Sequence, residues 1–225
     1  MFVNQIDDVL TTFVGGEFTI DDPTILTTLS GIINDPQGLY DAVIGVCPLE
    51  EWEPTSITGM TENYDGGKVW SRRATIVSQE AADSIALSIP KQIFSDGDMM
   101  DSTGEWEYAG VSPVFRFIHY SDGGYLIPHY DAPYVYNDNK MTMLSLVMYI
   151  TPGKTRFLED DQSDVPVHLR DFADKGEDYP ITPISTVHGQ PGDAIVFPHR
   201  RLHDSAPVDG EKMIIRTDVI FRKVD

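Results

Sequence analysis

The stretch Pro128-His129-Tyr130-Asp131 places a histidine and an aspartate on either side of a single residue. Successive side chains of a β-strand point to opposite faces, so a strand ending here would direct His129 and Asp131 to one side and Tyr130 to the other. Two such side chains can chelate one metal ion. The His-x-Asp pattern is weak by itself, because such pairs arise by chance in many proteins, and a third ligand must come from elsewhere.

His203 is the best candidate for that third ligand. It is followed by Asp-Ser-Ala-Pro-Val, a turn, and a strand-like run that carries Lys212. Two histidines and one carboxylate are the set that binds non-haem Fe(II) on one face and leaves other positions open. A basic residue after the last ligand indicates an anionic co-substrate, so the combination predicts an oxygenase. The remaining histidines occur in less informative contexts, at positions 119, 168, 188 and 199.

The composition limits the partners of the protein. The 225 residues carry a net charge of -20, which predicts no nucleic-acid partner and disfavours anionic membranes. Residues 1–10 lack a basic n-region and a long apolar run, and no stretch approaches the ~20 apolar residues of a membrane span. Cys47 is the single cysteine, so no internal disulfide forms. We therefore expect a soluble protein of a reducing compartment, the cytoplasm.

The first half of the chain predicts helices. Residues 22–33 are expected to form one, with Pro23 in its first turn, and residues 78–94 a second, with Pro90 kinking or ending it. Residues 37–66 are rich in glycine, proline and acids and allow no firm assignment.

The second half predicts strands, because short runs of β-branched and aromatic residues alternate with Gly, Asp and Pro turns. These runs are residues 114–119, 141–150, 194–197 and 213–221. Residues 160–190 are interpreted as a long insertion between strands. Helices followed by strands predict an α+β, mainly β domain, a helix-buttressed barrel or jelly roll. We expect one domain over 1–225, with helical support and substrate-side segments in 1–110 and the barrel core in 111–225.

Several stretches resemble the prolyl 4-hydroxylase-like group of Fe(II)/2-oxoglutarate-dependent dioxygenases, in the family's order. They are Arg116-Phe-Ile-His-Tyr120 with Gly123-Gly124 before the His-x-Asp, then residues 144–150, 155–157, 191–197 and 203–221. The resemblance implies a double-stranded β-helix, a jelly-roll barrel supported by N-terminal helices, with iron near its mouth. One departure is Pro-Gly-Lys-Thr-Arg-Phe at residues 152–157, where the family often has Gly-Gly-x-Thr-x-Phe; it places a charged residue beside the barrel rim.

The resemblance also assigns the metal ligands. It implies that His129, Asp131 and His203 bind Fe(II), that 2-oxoglutarate and O₂ are co-substrates, and that ascorbate stimulates turnover. Asp131 further separates the chain from related halogenases, which lack this carboxylate and bind chloride in its place. The resemblance therefore implies hydroxylation or a similar oxidation.

For the co-substrate, Lys212 matches the basic position that pairs with the distal carboxylate of 2-oxoglutarate. Tyr149 matches a strand tyrosine whose hydroxyl reaches the same carboxylate, and Tyr120 matches a tyrosine close to the co-substrate. Arg216 lies four residues beyond Lys212 on the same strand face and is the competing cation. A lysine after Asp-Gly-Glu could also be a solvated turn residue. We favour Lys212 from its spacing to His203.

On the substrate side, the candidates are Arg116, Tyr134 and Asp218. Arg216 and Asp218 share the strand face expected to look into the barrel, so Arg216 meets a carboxylate of a ligand or forms an internal ion pair with Asp218. Arg116 lines the pocket or is a structural cation, and Tyr134 rims the mouth or packs locally. Arg73, with its neighbours, shapes the entrance or is an ordinary surface residue.

The expected reaction is hydroxylation of a C–H bond in a small amino-acid-like molecule or a peptidyl residue such as proline, with release of succinate and CO₂. The acidic surface predicts a substrate with a positive group. The alternative is a non-catalytic cupin-like protein that binds a metal or small anion, and a nucleic-acid demethylase is disfavoured by the charge. Nothing in the sequence indicates an oligomeric state.

Overall fold

The structure of the protein, a computed structural model, describes residues 19–23, 27–55, 71–89, 100–101, 104–160 and 183–224. Within these ranges the chain is mainly β, with two α-helices, one large antiparallel sheet and one four-stranded antiparallel sheet. No helix in these ranges is long and apolar enough to cross a membrane.

The helices are α1 Pro36–Val46 and α2 Gln79–Ser88, and a short 3₁₀ turn covers Leu49–Glu51. The strands, numbered along the chain, are β1 Thr19–Pro23, β2 Thr27–Ser30, β3 Glu53–Pro54, β4 Ser71–Val77, β5 Met100–Asp101, β6 Gly104–Val111, β7 Val114–Tyr120, β8 Leu126–His129, β9 Val135–Asn137, β10 Lys140–Tyr149, β11 Gly153–Leu158, β12 Pro183–Gly189, β13 Ala194–Pro198, β14 His203–Ser205 and β15 Lys212–Lys223.

The two sheets are built from strands that alternate along the chain. The large sheet has the order β1-β2-β13-β10-β15-β7-β4-β3, with β6 beside β15, β5 beside β6 and β9 beside β10. The small sheet has the order β12-β11-β14-β8. From β7 onward the chain passes back and forth between them, which is the arrangement expected for the predicted jelly roll.

Successive side chains of β15 point to opposite faces of the large sheet and belong to two different apolar clusters. Met213 and Ile215 belong to the larger cluster, which includes buried residues of both helices, such as Leu39 and Ile85. Ile214, between them, belongs to a second cluster with residues from both sheets, at positions 118, 120, 147, 149, 157, 195 and 197. One face of the large sheet therefore packs on the helices, and the other faces the small sheet and encloses the site.

Both helices begin at a capping side chain. The Asp35 carboxylate accepts a hydrogen bond from the Gly38 amide at 2.9 Å, and the Ser78 hydroxyl accepts one from the Ala81 amide at 3.0 Å. Such caps satisfy amides that have no partner inside the helix. The predicted second helix is confirmed, although it ends at Ser88; Pro90 lies outside the described residues.

The helix predicted over residues 22–33 is wrong. The described residues there form β1 and β2, and β2 pairs with β13, which places Leu29 in the core with no exposure. Sheet pairing to a distant strand outweighs the local Asp-Pro signal. The same signal at Asp35-Pro36 does begin a helix, α1, in the segment that allowed no assignment.

The strand predictions for the second half are confirmed, and each strand is the same length as predicted or longer. The expected insertion at 160–190 is shorter than predicted, because its last part is β12; residues 161–182 lie outside the described ranges. The first 110 residues contribute strands β1 to β5 and most of β6 to the large sheet as well as the two helices. The division of the chain at residue 110 therefore does not correspond to a boundary between helices and sheet.

Candidate metal centre and co-substrate pocket

The structure brings the three predicted iron ligands together at the mouth of the barrel. His129 is the last residue of β8, His203 is the first of β14, and the two are paired across these strands with ring centres 4.2 Å apart. Asp131 follows β8 after Tyr130, and its amide donates to the His199 carbonyl at 3.1 Å. One ligand atom from each of the three side chains lies within 4.8 Å of the other two.

Backbone carbonyls orient both imidazoles. The Nδ1 of His129 lies 2.8 Å from the Ile127 carbonyl, and the Nδ1 of His203 lies 2.8 Å from the Arg201 carbonyl. The Nε2 atoms therefore face Asp131, at 3.8 Å and 3.7 Å from its oxygens. An imidazole that donates one N–H to a carbonyl presents its other nitrogen as a lone-pair ligand.

The site keeps Asp131 and His203 in the protonation states that bind a metal. Burial alone would raise the pKa of Asp131, but the charge of Arg216, 2.9 Å from its Oδ1, acts together with His203, His129 and Ser145 to hold that pKa well below its usual range. The Ser145 hydroxyl also donates to Asp131. Burial, followed by the charge of His129, lowers the pKa of His203 to about 3. An anionic Asp131 and a neutral His203 imidazole fit a divalent ion.

A pocket of about 200 Å³ opens beside these ligands, and Lys212 lies in its wall. The ammonium of Lys212 donates to the Lys154 carbonyl and the Ser205 hydroxyl, both at 2.8 Å, and lies 5.2 Å from the centre of the Tyr120 ring. Lys212 is 1% exposed, so it is not a solvated turn residue. Burial lowers its pKa to about 7, against the charge of Asp204. No carboxylate among the described residues forms an ion pair with it.

Tyr120 lines the same pocket as predicted, whereas Tyr149 lies behind its wall. The Tyr149 hydroxyl is 2.7 Å from Oγ1 of Thr155, and Thr155 is the residue that lines the pocket. Burial raises the pKa of both tyrosines, so their hydroxyls stay protonated. A direct contact between Tyr149 and a co-substrate remains a prediction. Sequence reasoning passed over Thr155, although it stands two positions before the core residue Phe157 and therefore on the same strand face.

Two glycines make room for Lys212 and Tyr149. Gly153 and Gly189 are directly paired between β11 and β12. A Cβ at Gly153 would lie 2.8 Å from the Lys212 chain, and a Cβ at Gly189 would lie 2.3 Å from the Tyr149 ring. Side chains at either position would overlap with the pocket wall.

The positive charge of Arg156, in the segment 152–157 beside the barrel rim, is neutralised by Asp204. Arg156 forms two hydrogen bonds with Asp204, from Nε at 2.8 Å and from Nη2 at 2.6 Å. Asp204 follows His203 and is 2% exposed, so the pair ties β11 to β14 beside a ligand. The Arg156–Asp204 pair thus supports the site.

The predicted substrate residues separate into two groups. Arg116 and Arg216 line the pocket, and both contact Asp218, at 3.2 Å and 3.0 Å. Asp218 is 2% exposed and lies behind the arginines, so it forms the internal ion pair that the sequence left open. Tyr134 is 57% exposed, packs on the Tyr136 ring at 4.7 Å, and is outside the pocket lining.

His199, one of the remaining histidines of the sequence, supports the site from behind. Its Nδ1 lies 2.8 Å from the Ser145 hydroxyl and its Nε2 lies 3.1 Å from the Thr142 hydroxyl. Burial lowers its pKa to about 4, so it is neutral at ordinary pH. Sequence reasoning missed the pocket residue Thr55, and it left Arg73, which also lines the pocket, open between an entrance role and an ordinary surface position. Both come from the N-terminal half, where no local motif marked them.

No established family model matches the chain, and no curated protein matches its sequence. Solved structures do match it. A prolyl-4-hydroxylase of Pseudomonas putida has 16% identity and a TM-score of 0.52, over 99% of this chain and 100% of that one. A viral collagen prolyl hydroxylase of Paramecium bursaria Chlorella virus-1, in complex with 2-oxoglutarate, has 16% identity and a TM-score of 0.50, over 88% and 97%.

A third match is SnoK, an α-ketoglutarate-dependent non-haem carbocyclase from nogalamycin biosynthesis, with 13% identity and a TM-score of 0.52. It covers 89% of this chain and 80% of that one. Because the identities are this low, the matches establish the fold alone. The structural agreement extends over most of each chain. This protein therefore has the jelly-roll fold of the prolyl 4-hydroxylase-like 2-oxoglutarate oxygenases.

Proposed function

We propose that the protein is an Fe(II)- and 2-oxoglutarate-dependent dioxygenase. It hydroxylates a C–H bond of a small amino-acid-like molecule or of a peptidyl residue such as proline, and releases succinate and CO₂. One observation carries this proposal: a His-Asp-His cluster and a buried lysine without a carboxylate partner among the described residues share one pocket. A simple metal-binding protein has no need of the second group.

His129, Asp131 and His203 would hold the metal. When bound, Fe(II) supplies O₂ activation coupled to decarboxylation of the 2-oxo acid. The chain's own residues prepare for it: carbonyls orient the imidazoles, and Arg216 and Ser145 keep Asp131 ionised and directed toward them. The protein thus supplies geometry and electrostatics, and the cofactors supply the oxidation.

Lys212 would receive the distal carboxylate of 2-oxoglutarate. A buried carboxylate requires a cation, because an unpaired charge in the protein interior is very costly. Lys212 has two protein acceptors for its three donors, so one N–H is left for a ligand. Arg216 is less suitable, since its two Nη atoms already contact Asp131 and Asp218. Thr155 lies in the same wall and offers a hydroxyl to the carboxylate.

The test is to load the protein with Fe(II) under anaerobic conditions, add 2-oxoglutarate and O₂, and measure succinate. We expect slow turnover without a second substrate. The Lys212→Ala variant should bind 2-oxoglutarate about tens to thousands of times more weakly, the usual effect of truncating one partner of a buried charge pair. Lys223→Ala, at the other end of β15, is the matched control and should not change the affinity.

An absence of succinate in Fe(II)-loaded protein that also fails to bind 2-oxoglutarate would overturn the proposal in favour of a non-catalytic metal-binding protein. A large loss of 2-oxoglutarate affinity in Arg216→Ala, without one in Lys212→Ala, would exchange the roles of these two residues.

A further inference from the structure

Three arginines line the pocket beside the metal site. Arg216 on β15 and Arg116 on β7 are directly paired across the large sheet, and Arg73 lies on β4, the next strand. Arg73 is paired with Ile118, two residues along β7 from Arg116. Neighbouring strands lie about 4.8 Å apart, so long side chains on these positions reach one another. Like charges directly opposite in a sheet destabilise it, so their retention in a pocket needs a cause.

The protein compensates these charges only in part. Asp218 contacts both Arg116 and Arg216, and Asp131, the second carboxylate at Arg216, belongs to the metal site. The carboxylate nearest to Arg73 among the described residues is that of Glu53, at 4.0 Å, whose side chain is 81% exposed. An exposed pair at this distance contributes little.

Buried polar atoms without a hydrogen-bond partner occur in side chains of the same pocket. Among the described residues, five buried side-chain atoms have no hydrogen-bond partner. Three of them belong to residues that line the pocket: Nε of Arg73, Nε of Arg216 and Oγ1 of Thr55. Buried polar groups almost always have a partner, because each unmade hydrogen bond is costly. All three atoms belong to side chains that line one cavity, which favours an acceptor-rich group bound there.

The charges of the pocket residues indicate that this group is an anion. Three guanidinium groups meet two carboxylates, Asp131 and Asp218, which leaves an excess of one positive charge before any metal is bound. A divalent ion and the single carboxylate of a chelating 2-oxo acid would raise the excess to two. Lys212 is separately neutralised by the distal carboxylate under the proposed function.

We infer that the substrate carries a carboxylate, which binds across Arg73 and Arg116, with the Nε–H of Arg216 as a further donor, and directs the rest of the molecule toward the metal. This inference rests on the proposed function and names its substrate class: an acid such as an N-substituted amino acid or the free C-terminus of a peptide. It is opposite to the cationic substrate that the acidic surface predicts. Surface charges act through solvent and are screened over about 10 Å at 0.1 M salt, whereas the arginines contact the ligand.

The first experiment compares acids with their amides. Protein loaded with Ni(II) and 2-oxoglutarate, which does not turn over, is titrated with N-acetylated amino acids, including N-acetylproline, and with the matching amides. A second arm uses short peptides ending in proline with a free or amidated C-terminus. We expect the acids of one arm to bind at least about tenfold more tightly than their amides, and the arm that does so identifies the source of the carboxylate.

Arginine variants then locate the carboxylate. Arg73→Gln and Arg116→Gln should each weaken acid binding about ten- to a hundredfold, leave amide binding unchanged, and leave 2-oxoglutarate affinity within about twofold of the parent. Arg222→Gln removes one positive charge from the exposed end of β15 and is the matched control; it should change none of these. In ¹⁵N spectra, the Arg73 Nε–H signal should shift with acids and not with amides.

Equal binding of acids and amides, no binding of any acid, or tighter binding of inorganic phosphate than of every acid would each overturn the inference. A loss of 2-oxoglutarate affinity in Arg73→Gln or Arg116→Gln would also overturn it, since the arginines would then serve the co-substrate. All of these results are compatible with Fe(II)-dependent succinate formation, so the inference can fail while the proposed function stands. Loss of 2-oxoglutarate binding in the parent protein would instead refute the proposed function.

Discussion

At the residue scale, Lys212 shows how a buried charge depends on its ligand. Its pKa is lowered to about 7 by burial, from an ordinary value of 10.5. Because the folded pKa lies below the unfolded one, the charged lysine costs stability below about pH 7, and this cost disappears as the pH rises toward 10.5. A bound dianion would stabilise the charged form and raise the pKa again.

Binding of 2-oxoglutarate should therefore take up a proton above pH 7. At about pH 8 the free protein holds Lys212 mostly neutral, and the complex holds it charged, so uptake approaches one proton; at about pH 6 it falls toward zero. The measurement is the calorimetric binding enthalpy of 2-oxoglutarate to Ni(II)-loaded protein in buffers of different ionisation enthalpy. Enthalpies independent of the buffer at pH 8 would contradict the assignment of Lys212.

The metal ligands allow a second prediction at this scale. His203→Ala should lose Fe(II) binding and all iron-dependent succinate formation, because two protein ligands hold the ion too weakly. The protein should remain folded, since His203 is the first residue of the three-residue strand β14 and lies outside both buried apolar clusters. His199→Ala is the comparison: its ring contacts Ser145 and Thr142, so metal binding should persist, with activity reduced about tenfold or less.

Metal content by elemental analysis and folding by circular dichroism separate the two effects. Retained iron in His203→Ala together with lost iron in His199→Ala would show that His199 is the third ligand.

At the scale of elements, the paired Gly153 and Gly189 leave room for side chains in and behind the pocket wall. The two glycines allow β11 and β12 to approach Lys212 and Tyr149 more closely than side chains would permit. Tyr149 in turn supports Thr155 through its hydroxyl. The small sheet therefore shapes the co-substrate wall through residues that have no reactive group.

Gly189→Ala should destabilise the protein by about 1–3 kcal/mol, because its Cβ would lie 2.3 Å from the Tyr149 ring and force the ring away. The displaced ring should also weaken 2-oxoglutarate binding. Thermal unfolding and calorimetric titration measure the two effects.

Gly45→Ala is the control for this substitution. Gly45 lies in α1, and a Cβ added there would meet no atom of the described residues within 4 Å outside its own helix backbone and chain neighbours. Alanine should therefore stabilise the helix by about 0.5–1 kcal/mol. Equal stability of Gly189→Ala and the parent protein would mean that the strands yield without strain, and the proposed shaping role would be wrong.

At the scale of the whole molecule, a chain with a net charge of -20 presents a cation-lined pocket. The overall field should repel a dianion at long range, although Lys212 and the arginines attract it at short range. Association should therefore be slow at low salt, where the Debye length is about 30 Å at 0.01 M, and faster near 0.15 M, where it is about 8 Å.

Stopped-flow measurement of 2-oxoglutarate association with Ni(II)-loaded protein at several salt concentrations tests this prediction. The association rate should rise with salt, and the dissociation rate should change less. A rate that falls with salt would show that the cations of the pocket, and not the net charge, steer the ligand.

The sequence by itself determined the features that depend on local pattern and on residue chemistry. Runs of β-branched and aromatic residues between Gly, Asp and Pro turns predict the strands of the second half. His129, Asp131 and His203 stood out because few residue types bind a metal, and Lys212 because a basic residue follows at a set distance. These features can be identified without knowledge of distant neighbours.

Only the tertiary structure decided which distant residues meet. β2 became a strand because β13 lies beside it, against the local signal for a helix. Arg73 belongs to the pocket because β4 pairs with β7, and Asp218 lies behind the arginines because it contacts both. The physical reason is that a sheet joins residues far apart in sequence, so the neighbours of a side chain across strands, and hence its charge environment, are not encoded in any local window.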